Sequence, residues 1–371
     1  MVAKLHPSDA MTSRQRLLAA YRGEEVDRLP YWAKVSNGTW KAGQPKRVQD
    51  MTDLELLDFI AADGIFGAGA RIMPRRPHVE EETTTSETER VTVTHTPDGD
   101  LVERWGITPG SVHPVEFPIK TVEDIKRYRW LYTDVAWEVD EDSLAASRQR
   151  VKDIGERGIF KAGWGTTPLM HLVEHVIGPI ETHIMLHEHP DELDDLIWMM
   201  HAVNLEHVRQ VADHAPADMV VSVENTSTTL ISPQQFERYC YRHLCEVGQA
   251  VRDAGKMHEL HMCGHTLALL ERIDTIPACS IEAYTAPTLG NTRLVDGRTR
   301  APSKTLVGGT NVNTWLLPVE KIKEYIEAEL AACPDHRRIV LTTAGVAPPG
   351  CPAEVFRQIG QWLPDVPVRM N

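Results

Sequence analysis

Short apolar segments that alternate with long amphipathic helices constrain the fold of this chain more than any other feature. PYWAKV begins with the helix-breaking proline at position 30 and is typical of a first strand. From about residue 158 onward the strand candidates are IFKAGW, MVVSVE, MHELHM, CSIEAY, TLVGGT and RIVLTT. This alternation is typical of parallel strands joined by crossover helices. About eight such units fit in 371 residues, so we expect a (β/α)8 TIM barrel, with residues 1–371 forming a single domain.

Capping residues mark where several of the helices begin. Thr12 and Gln15 have the spacing of a capping box, which predicts a helix from about residue 13. Pro190 opens a long amphipathic segment, and Ser232 precedes Pro233 and Gln235 in the same capping pattern.

Residues 78–105 break the alternation of strands and helices. Threonine and valine dominate this stretch, and Pro97, Asp98 and Gly99 are typical turn residues. The sequence therefore predicts an antiparallel β-hairpin inserted in the barrel, and we expect it to cover one mouth.

The composition excludes several classes of function. A net charge of −14 disfavours nucleic-acid binding, which needs a basic face. No segment has the roughly 20 apolar residues that cross a bilayer, and the amino-terminal segment lacks the apolar core of a signal peptide, so we expect a cytoplasmic protein without a membrane partner. Six cysteines in so long a chain are too few for a disulfide framework, which leaves them as free thiols or metal ligands.

The segment HELHMCGHT carries the strongest candidate for a metal site. His261 and Cys263 are two positions apart, so in an extended segment their side chains point to the same side. Imidazole and thiolate are ligands that suit zinc. The carboxyl ends of barrel strands are also where active sites form, and His261 lies at such an end.

Two later residues complete a possible ligand set. Glu282 lies toward the end of the next strand and can complete the site, or it can be a charge that faces solvent. Cys351 follows the last strand, in APPGCPAEV, and can bind the metal or simply fill space before the next helix. Cys240, Cys245, Cys279 and Cys333 fall within helices or a strand and are interpreted as packing residues.

Four stretches together resemble the uroporphyrinogen decarboxylase superfamily, in its zinc-dependent methyltransferase branch. They match in order and approximate spacing over nearly the whole chain: SRQRLLAAYRGEEVDRLPYW, LISPQQFERYCYRHLCEVGQAVRDAG, LHMCGHTLALLERI and LVGGTNVNTWLLPVEKIKEYI. The porphyrinogen decarboxylases of this superfamily carry an arginine-rich segment after the first strand. Here that stretch is AKVSNGTWKAG, which disfavours a porphyrinogen substrate.

The resemblance implies a zinc ion and a corrinoid cofactor carried by a partner protein. In the methyltransferases a His-x-Cys pair and a late cysteine bind zinc, and His261 and Cys263 match the pair. In the related cobalamin-independent methionine synthases a glutamate on the following strand is added, at the position of Glu282. The late cysteine of the family follows the last strand near Ala344 or Gly345, whereas Cys351 comes six or seven residues later.

Two directions of methyl transfer agree with this resemblance. The preferred one moves a methyl group from a small donor, such as an aromatic methyl ether, to the cobalt of a corrinoid protein, which would make the chain an O-demethylase. The alternatives are transfer from a methyl-corrinoid to a thiol, a metal-free decarboxylase, and a non-catalytic protein that binds a corrinoid protein.

We expect Glu224 and Asn311 to act in catalysis by orienting the substrate or a proton. The residues predicted to bind an aromatic substrate are Tyr31, Trp32, Trp40 and Trp164. Homodimerisation is a further possibility.

Overall fold

Eight parallel strands form the centre of the computed structural model, which describes residues 5–35 and 38–370. They are β1 (Tyr31–Trp32), β2 (Gly64–Gly67), β3 (Gly158–Gly165), β4 (Met219–Val223), β5 (Met257–His261), β6 (Ser280–Tyr284), β7 (Thr305–Gly309) and β8 (Ile339–Thr342). Consecutive strands pair from β2 to β8, and β8 pairs with β1. The sheet is therefore nearly closed, and the predicted TIM barrel is confirmed. Positions 36 and 37, within the stretch compared with the arginine-rich segment, and positions 1–4 of the amino-terminal segment lie outside the described residues.

Asp63 bridges the remaining gap between β1 and β2. Its backbone N–H donates to the carbonyl of Tyr31 at 2.7 Å, and its carboxylate accepts from the N–H of Tyr31 at 3.0 Å. Arg16 and Arg28 contact the same carboxylate at 2.7 and 3.0 Å. One buried aspartate thus supplies hydrogen bonds at a place where the two strands do not form a ladder.

The helices surround the barrel, and their predicted starts agree with the structure. Thr12 Oγ1 accepts from the N–H of Gln15 at 3.1 Å, and Ser232 Oγ accepts from Gln235 at 3.2 Å. The α-helices are Ser13–Arg22, Gly38–Ala42, Lys46–Gln49, Asp53–Ile60, Val122–Trp130, Glu141–Ile154, Pro168–His171, Glu181–Glu188, Pro190–His214, Pro233–Gln235, Arg242–Asp253, Leu270–Asp274, Leu294–Arg300, Val319–Ala331 and Ala353–Trp362. Two π-helical turns are Leu172–Val176 and Phe236–Tyr241, and the 3-10 turns are Gly155–Arg157, Leu267–Leu269, Val312–Leu316 and Leu363–Asp365.

The insertion between β2 and β3 is larger than the predicted hairpin. Its four antiparallel strands are Glu80–Thr85, Glu89–His95, Leu101–Thr108 and Ser111–Glu116, and a separate pair joins Ile72–Arg75 to Ala136–Val139. The Trp105 ring lies 5.6 Å from the His175 ring, and the N–H of Ile119 donates to Val176. Because residues 172–176 follow β3, the insertion packs at the carboxyl-terminal end of the barrel.

Within the ranges that the structure describes, we find no helix with the length and apolar character that crossing a membrane requires.

Candidate active site

His261 and Glu282 meet at the carboxyl ends of β5 and β6. The two residues are direct partners in the parallel register, which brings their side chains to the same level of the barrel. His261 Nδ1 makes a close hydrogen bond with Glu282 Oε2. The pairing of neighbouring strands therefore joins two of the residues that the sequence singled out.

Lys34 is the second partner of Glu282. Its Nζ lies 2.6 Å from Oε1, so both carboxylate oxygens of the buried Glu282 are engaged. Burial raises the pKa of Glu282, but His261 and Lys34 outweigh it and hold that pKa below its usual range. Burial lowers the pKa of His261, whereas its hydrogen bonds to Cys263 and Glu282 raise it above the ordinary value. The group is therefore a largely shielded ion-pair network that favours the protonated form of His261.

Cys263 lies beside His261 and remains partly exposed. Its thiol donates a hydrogen bond to Asn225 Oδ1 at 3.5 Å and also contacts His261. The predicted His-x-Cys pair thus faces one region, where nitrogen and sulfur ligands are both available.

Cys351 lies in a more enclosed position after β8. Its carbonyl accepts a hydrogen bond from Trp40 Nε1 at 2.8 Å, and its thiol points to the carbonyl of Pro352 at 3.8 Å. Burial raises the pKa of this thiol to about 12. Among the described residues we find no hydrogen bond from the Cys351 thiol to His261, Cys263 or Glu282. The structure thus joins three of the four predicted ligands.

The chemistry of this donor set fits zinc, although its arrangement has to change for the metal to bind. His261, Cys263 and Glu282 offer nitrogen, sulfur and oxygen ligands, all of which zinc accepts. In the part of the chain that the structure describes, no three His, Cys, Asp or Glu side chains already have the arrangement that a metal ion needs. A metal at His261 requires loss of the imidazole proton and a change in the hydrogen bonds around it.

Glu174 and Asn225 belong to this region and were not predicted from the sequence. Asn225 Nδ2 donates to Glu174 Oε2 at 3.0 Å, while Glu174 Oε1 is buried with no hydrogen-bond partner among the described residues. Burial raises the pKa of Glu174 above its ordinary value, against the hydrogen bond from Asn225 and the charges of His175 and His261, so His261 lies within electrostatic range of this carboxylate. Glu174 lies in the π-helical turn Leu172–Val176, a distortion that often occurs at functional sites. No short motif marks this turn in the sequence.

The two predicted catalytic residues are engaged in structural hydrogen bonds. Glu224 is buried and accepts from Thr167 N–H and Thr166 Oγ1, both at 2.9 Å, and from Thr167 Oγ1 at 2.5 Å. Burial raises its pKa to about 7 against the effect of these bonds. Asn311 Oδ1 caps the turn Val312–Leu316, and its Nδ2 donates to Pro287 at 2.6 Å. The hydrogen bonds of Glu224 and Asn311 indicate that both residues position the loops at the barrel mouth rather than contact a substrate.

The four predicted aromatic residues have different environments. Tyr31 and Trp40 are fully buried, and Trp164 is 6% exposed and donates from Nε1 to Ser222 Oγ at 2.7 Å. Trp32 is partly exposed, and the Nζ atoms of Lys34 and Lys161 lie 5.0 and 4.7 Å from the centre of its ring. Of these four rings, Trp32 has the position best suited to face a substrate.

Comparisons with known proteins agree with this architecture. The family model described as "Uroporphyrinogen decarboxylase (URO-D)" matches residues 164–362. Among solved structures, the chain is similar to a methyltransferase from Methanosarcina mazei, with a TM-score of 0.58 and 16% sequence identity over 95% of this chain and 98% of that one. At this identity the similarity supports the fold alone. No curated protein matches the chain in sequence.

Proposed function

The chain belongs to the uroporphyrinogen decarboxylase family, whose model covers more than half of it, and from this premise we propose that it is a zinc-dependent methyltransferase. Its reaction would move a methyl group from a small methylated donor, such as an aromatic methyl ether, to the cobalt of a corrinoid protein. The structural neighbour from Methanosarcina mazei, itself a methyltransferase, supports this choice within the family.

The observation that carries the proposal is the contact among His261, Cys263 and Glu282 at the mouth of the barrel. His261 bonds to Glu282 and contacts Cys263, and all three are partly or wholly shielded from water. A metal-free decarboxylase needs no such group of soft and hard metal ligands. In the proposed enzyme His261 and Cys263 hold zinc, Glu282 is a third ligand or orients His261, and Cys351 is the candidate fourth.

Zinc bound there would supply Lewis acidity to the oxygen of the methyl donor. Other side chains of the protein would hold the ligands in place and contact the substrate. Lys34 neutralises Glu282 and keeps its carboxylate in place. Trp32 offers its ring beside the site. Glu174 Oε1, which has no hydrogen-bond partner within the described ranges, would accept a hydrogen bond from a donor group of the substrate.

Exposed apolar side chains at the same end of the barrel favour docking of a protein partner. Val223, Leu289, Leu316, Leu317 and Val346 are between 42% and 59% exposed. Each ends or follows a strand at its carboxyl end, so we call this set the mouth rim. Apolar surface of this kind is typical of interaction sites. We propose that the mouth rim contacts the corrinoid protein.

The test measures metal content and methyl transfer on the same preparations. We expect about one zinc per chain, and methylation of cob(I)alamin by a methoxyaromatic donor, followed by the change in corrinoid absorbance. His261→Ala and Cys263→Ser should lose both zinc and transfer. The matched controls are His187→Ala and Cys245→Ser, which alter a histidine and a cysteine away from the site. A protein that contains zinc but transfers no methyl group from any methoxyaromatic donor would contradict the choice of donor.

A decarboxylase remains the second candidate because the matching family is described by that activity. A decarboxylase on this barrel should purify without metal and keep its activity after Cys263→Ser. The same assay, run with methylcobalamin and a thiol acceptor, distinguishes the ether reaction from methyl transfer to a thiol. The enclosed position of Cys351 beside Trp40 favours the ether reaction, since a site in which Cys263 is the sole thiolate leaves a harder zinc that prefers oxygen.

A further inference from the structure

A cavity of about 610 Å³ opens at the amino-terminal end of the barrel, opposite the candidate active site. Its walls come from the end of helix Ser13–Arg22 and from the segments that lead into β5, β6, β7 and β8. The volume lies within the range of small-molecule sites, about 300–1,000 Å³. This end of a TIM barrel does not normally carry catalysis, so a ligand here would have another role.

Four cations line this cavity against a single carboxylate. They are Arg22, Arg252, Lys304 and Arg338, and the carboxylate is that of Asp274. None of the four has a carboxylate within ion-pair distance in the part of the chain that the structure describes. Asp274 Oδ1 is itself held by Ser303, whose N–H and Oγ donate to it at 3.0 and 2.6 Å.

Two of the cations are held in place by neutral groups. Lys304 is 2% exposed, and its ammonium donates to the carbonyls of Asp274 and Ile276 at 2.7 and 2.9 Å and to Ser303 Oγ. Arg338 donates to the carbonyls of Tyr21 and Arg22 at 3.1 and 2.9 Å. Neutral hydrogen-bond acceptors therefore fix both positive charges at the cavity wall.

Gly23 allows the Arg338 side chain to occupy this position. A Cβ on residue 23 would stand 2.5 Å from Arg338 Nε, closer than any real contact, and Gly23 also has φ of +77°. Glycine at position 23 therefore leaves room for the Arg338 guanidinium, which a side chain at that position would displace.

The remaining two cations are free to bind. Arg22 and Arg252 are exposed, and within the described residues neither guanidinium donates a hydrogen bond to the protein. Burial lowers the pKa of Lys304 below its ordinary value, the charge of Asp274 opposes this, and the charges of Arg338 and Arg252 add to the lowering. These like charges are therefore close enough to repel one another, and an anion between them would relieve that repulsion.

From these contacts we propose that this cavity binds a small polyanion that carries phosphate or carboxylate groups. Arg22 and Arg252 present planar guanidinium groups, which bind either kind of group through paired hydrogen bonds. Lys304 and Arg338 form a fixed positive floor, and Met257, Ile276 and Pro277 add apolar surface for an organic portion of the ligand. The site is independent of the proposed methyl transfer.

The test uses inorganic pyrophosphate and citrate as probes, in isothermal titration calorimetry at constant ionic strength. We expect saturable binding of one probe per chain to the full-length protein. The double variant Arg22→Gln/Arg252→Gln, which alters exposed residues only, should bind at least about tenfold more weakly, since two charged hydrogen-bond donors are lost. Pyrophosphate bound more tightly than citrate indicates a phosphate ligand, and the reverse preference indicates a carboxylate ligand.

Two controls separate this cavity from other sites. Arg148→Gln/Arg209→Gln removes the same charge from exposed helical positions and should leave the affinity unchanged. Cys263→Ser tests whether the probe binds a metal at the opposite mouth, and it should also leave the affinity unchanged. Absence of saturable binding, equal weakening in the arginine control, or loss of binding only in Cys263→Ser would overturn the proposal.

Discussion

At the scale of single residues, the state of Glu282 decides how the candidate metal site works. Its two oxygens are engaged by Lys34 and His261, so the carboxylate already holds the imidazole through Nδ1. Histidines that bind metals commonly donate their other ring N–H to a carboxylate, which fixes their orientation. The contacts therefore favour a role for Glu282 as the partner that orients His261.

Replacing Glu282 by glutamine tests this role. We expect the zinc affinity of Glu282→Gln to fall about 10–100-fold, the usual effect of losing such a partner. Competition with a chromophoric chelator measures the affinity without any reaction. Glu271→Gln, at an exposed glutamate, is the matched control. An unchanged affinity would contradict a role for Glu282 at the metal.

Lys34 offers a second test at the same scale. Lys34→Met keeps an unbranched side chain, one atom shorter, but removes the positive charge beside the buried Glu282. Breaking a buried ion pair destabilises a protein by about 3–5 kcal/mol, and because His261 still bonds to Glu282 we expect a loss near or below the lower end of that range. Urea denaturation of Lys34→Met should show this loss, and Lys34→Met/Glu282→Gln should recover part of it. If the double variant is less stable than Lys34→Met, the two side chains are not coupled as described.

At the scale of secondary-structure elements, buried charges join parts of the barrel that backbone ladders leave apart. Asp63 ties β1 to β2 and receives Arg16 from the first helix and Arg28 from the loop before β1. Inside the barrel, Glu259 of β5 contacts Lys161 of β3 and accepts a hydrogen bond from Tyr21 at 2.8 Å. These groups make the packing of the first helix specific.

Asp63→Asn should weaken the barrel at its least regular junction. The change leaves two buried arginines without their shared carboxylate, and we expect a loss of about 3–5 kcal/mol in the free energy of unfolding. Urea denaturation followed by circular dichroism measures it. Asp58→Asn removes a half-exposed partner of Arg157 and should cost about 1 kcal/mol or less. Similar losses in the two variants would show that Asp63 has no special role.

At the scale of the whole molecule, the carboxylates held by arginines determine the response to acid. Burial raises the pKa of Asp27, but its hydrogen bonds from Arg16 and from backbone N–H groups prevail and hold the pKa at about 2, below its ordinary 3.8. A carboxylate whose pKa is lowered by folding stabilises the protein above its ordinary pKa. That contribution is lost as the pH falls from about 4 to about 2.

Asp27→Asn should reveal this dependence. We expect the stability difference between the native protein and Asp27→Asn to be constant from pH 7 to pH 5. Below pH 4 the difference should shrink, because the native carboxylate loses its advantage as it takes up a proton. Urea midpoints measured at each pH test this. A difference that stays constant down to pH 2 would contradict the low pKa.

The mouth rim gives a prediction for the assembled system. Leu316→Glu puts a charge on an exposed apolar residue and should raise the KM for the corrinoid protein at least several-fold, because apolar contact is lost and a charge is desolvated. Zinc content and the reaction with free cob(I)alamin should not change. Gln249→Glu, which adds the same charge to an exposed position on helix Arg242–Asp253, is the control. An unchanged KM would place the docking surface elsewhere.

Much of the fold could be predicted because it depends on local patterns. The apolar runs that became β3 to β8 are buried parallel strands, and the caps at Thr12 and Ser232 form within their own helix turns. The short strand β2 and the full extent of the insertion were not predicted. Strand β2 has only four residues, too few for a periodicity, and Ser111–Glu116, the strand of the insertion beyond the predicted hairpin, is mostly exposed and has no regular apolar pattern.

The sequence by itself determined the barrel and the shared direction of His261 and Cys263, because strand periodicity and the order of elements are properties of neighbouring residues. Only the tertiary structure decided that Glu282 bonds to both His261 and Lys34, that Glu174 and Asn225 join the site, and that Cys351 is enclosed beside Trp40. The same holds for the four cations at the opposite end. Their positions depend on how residues far apart in the chain pack and share hydrogen bonds, and no local pattern carries that information.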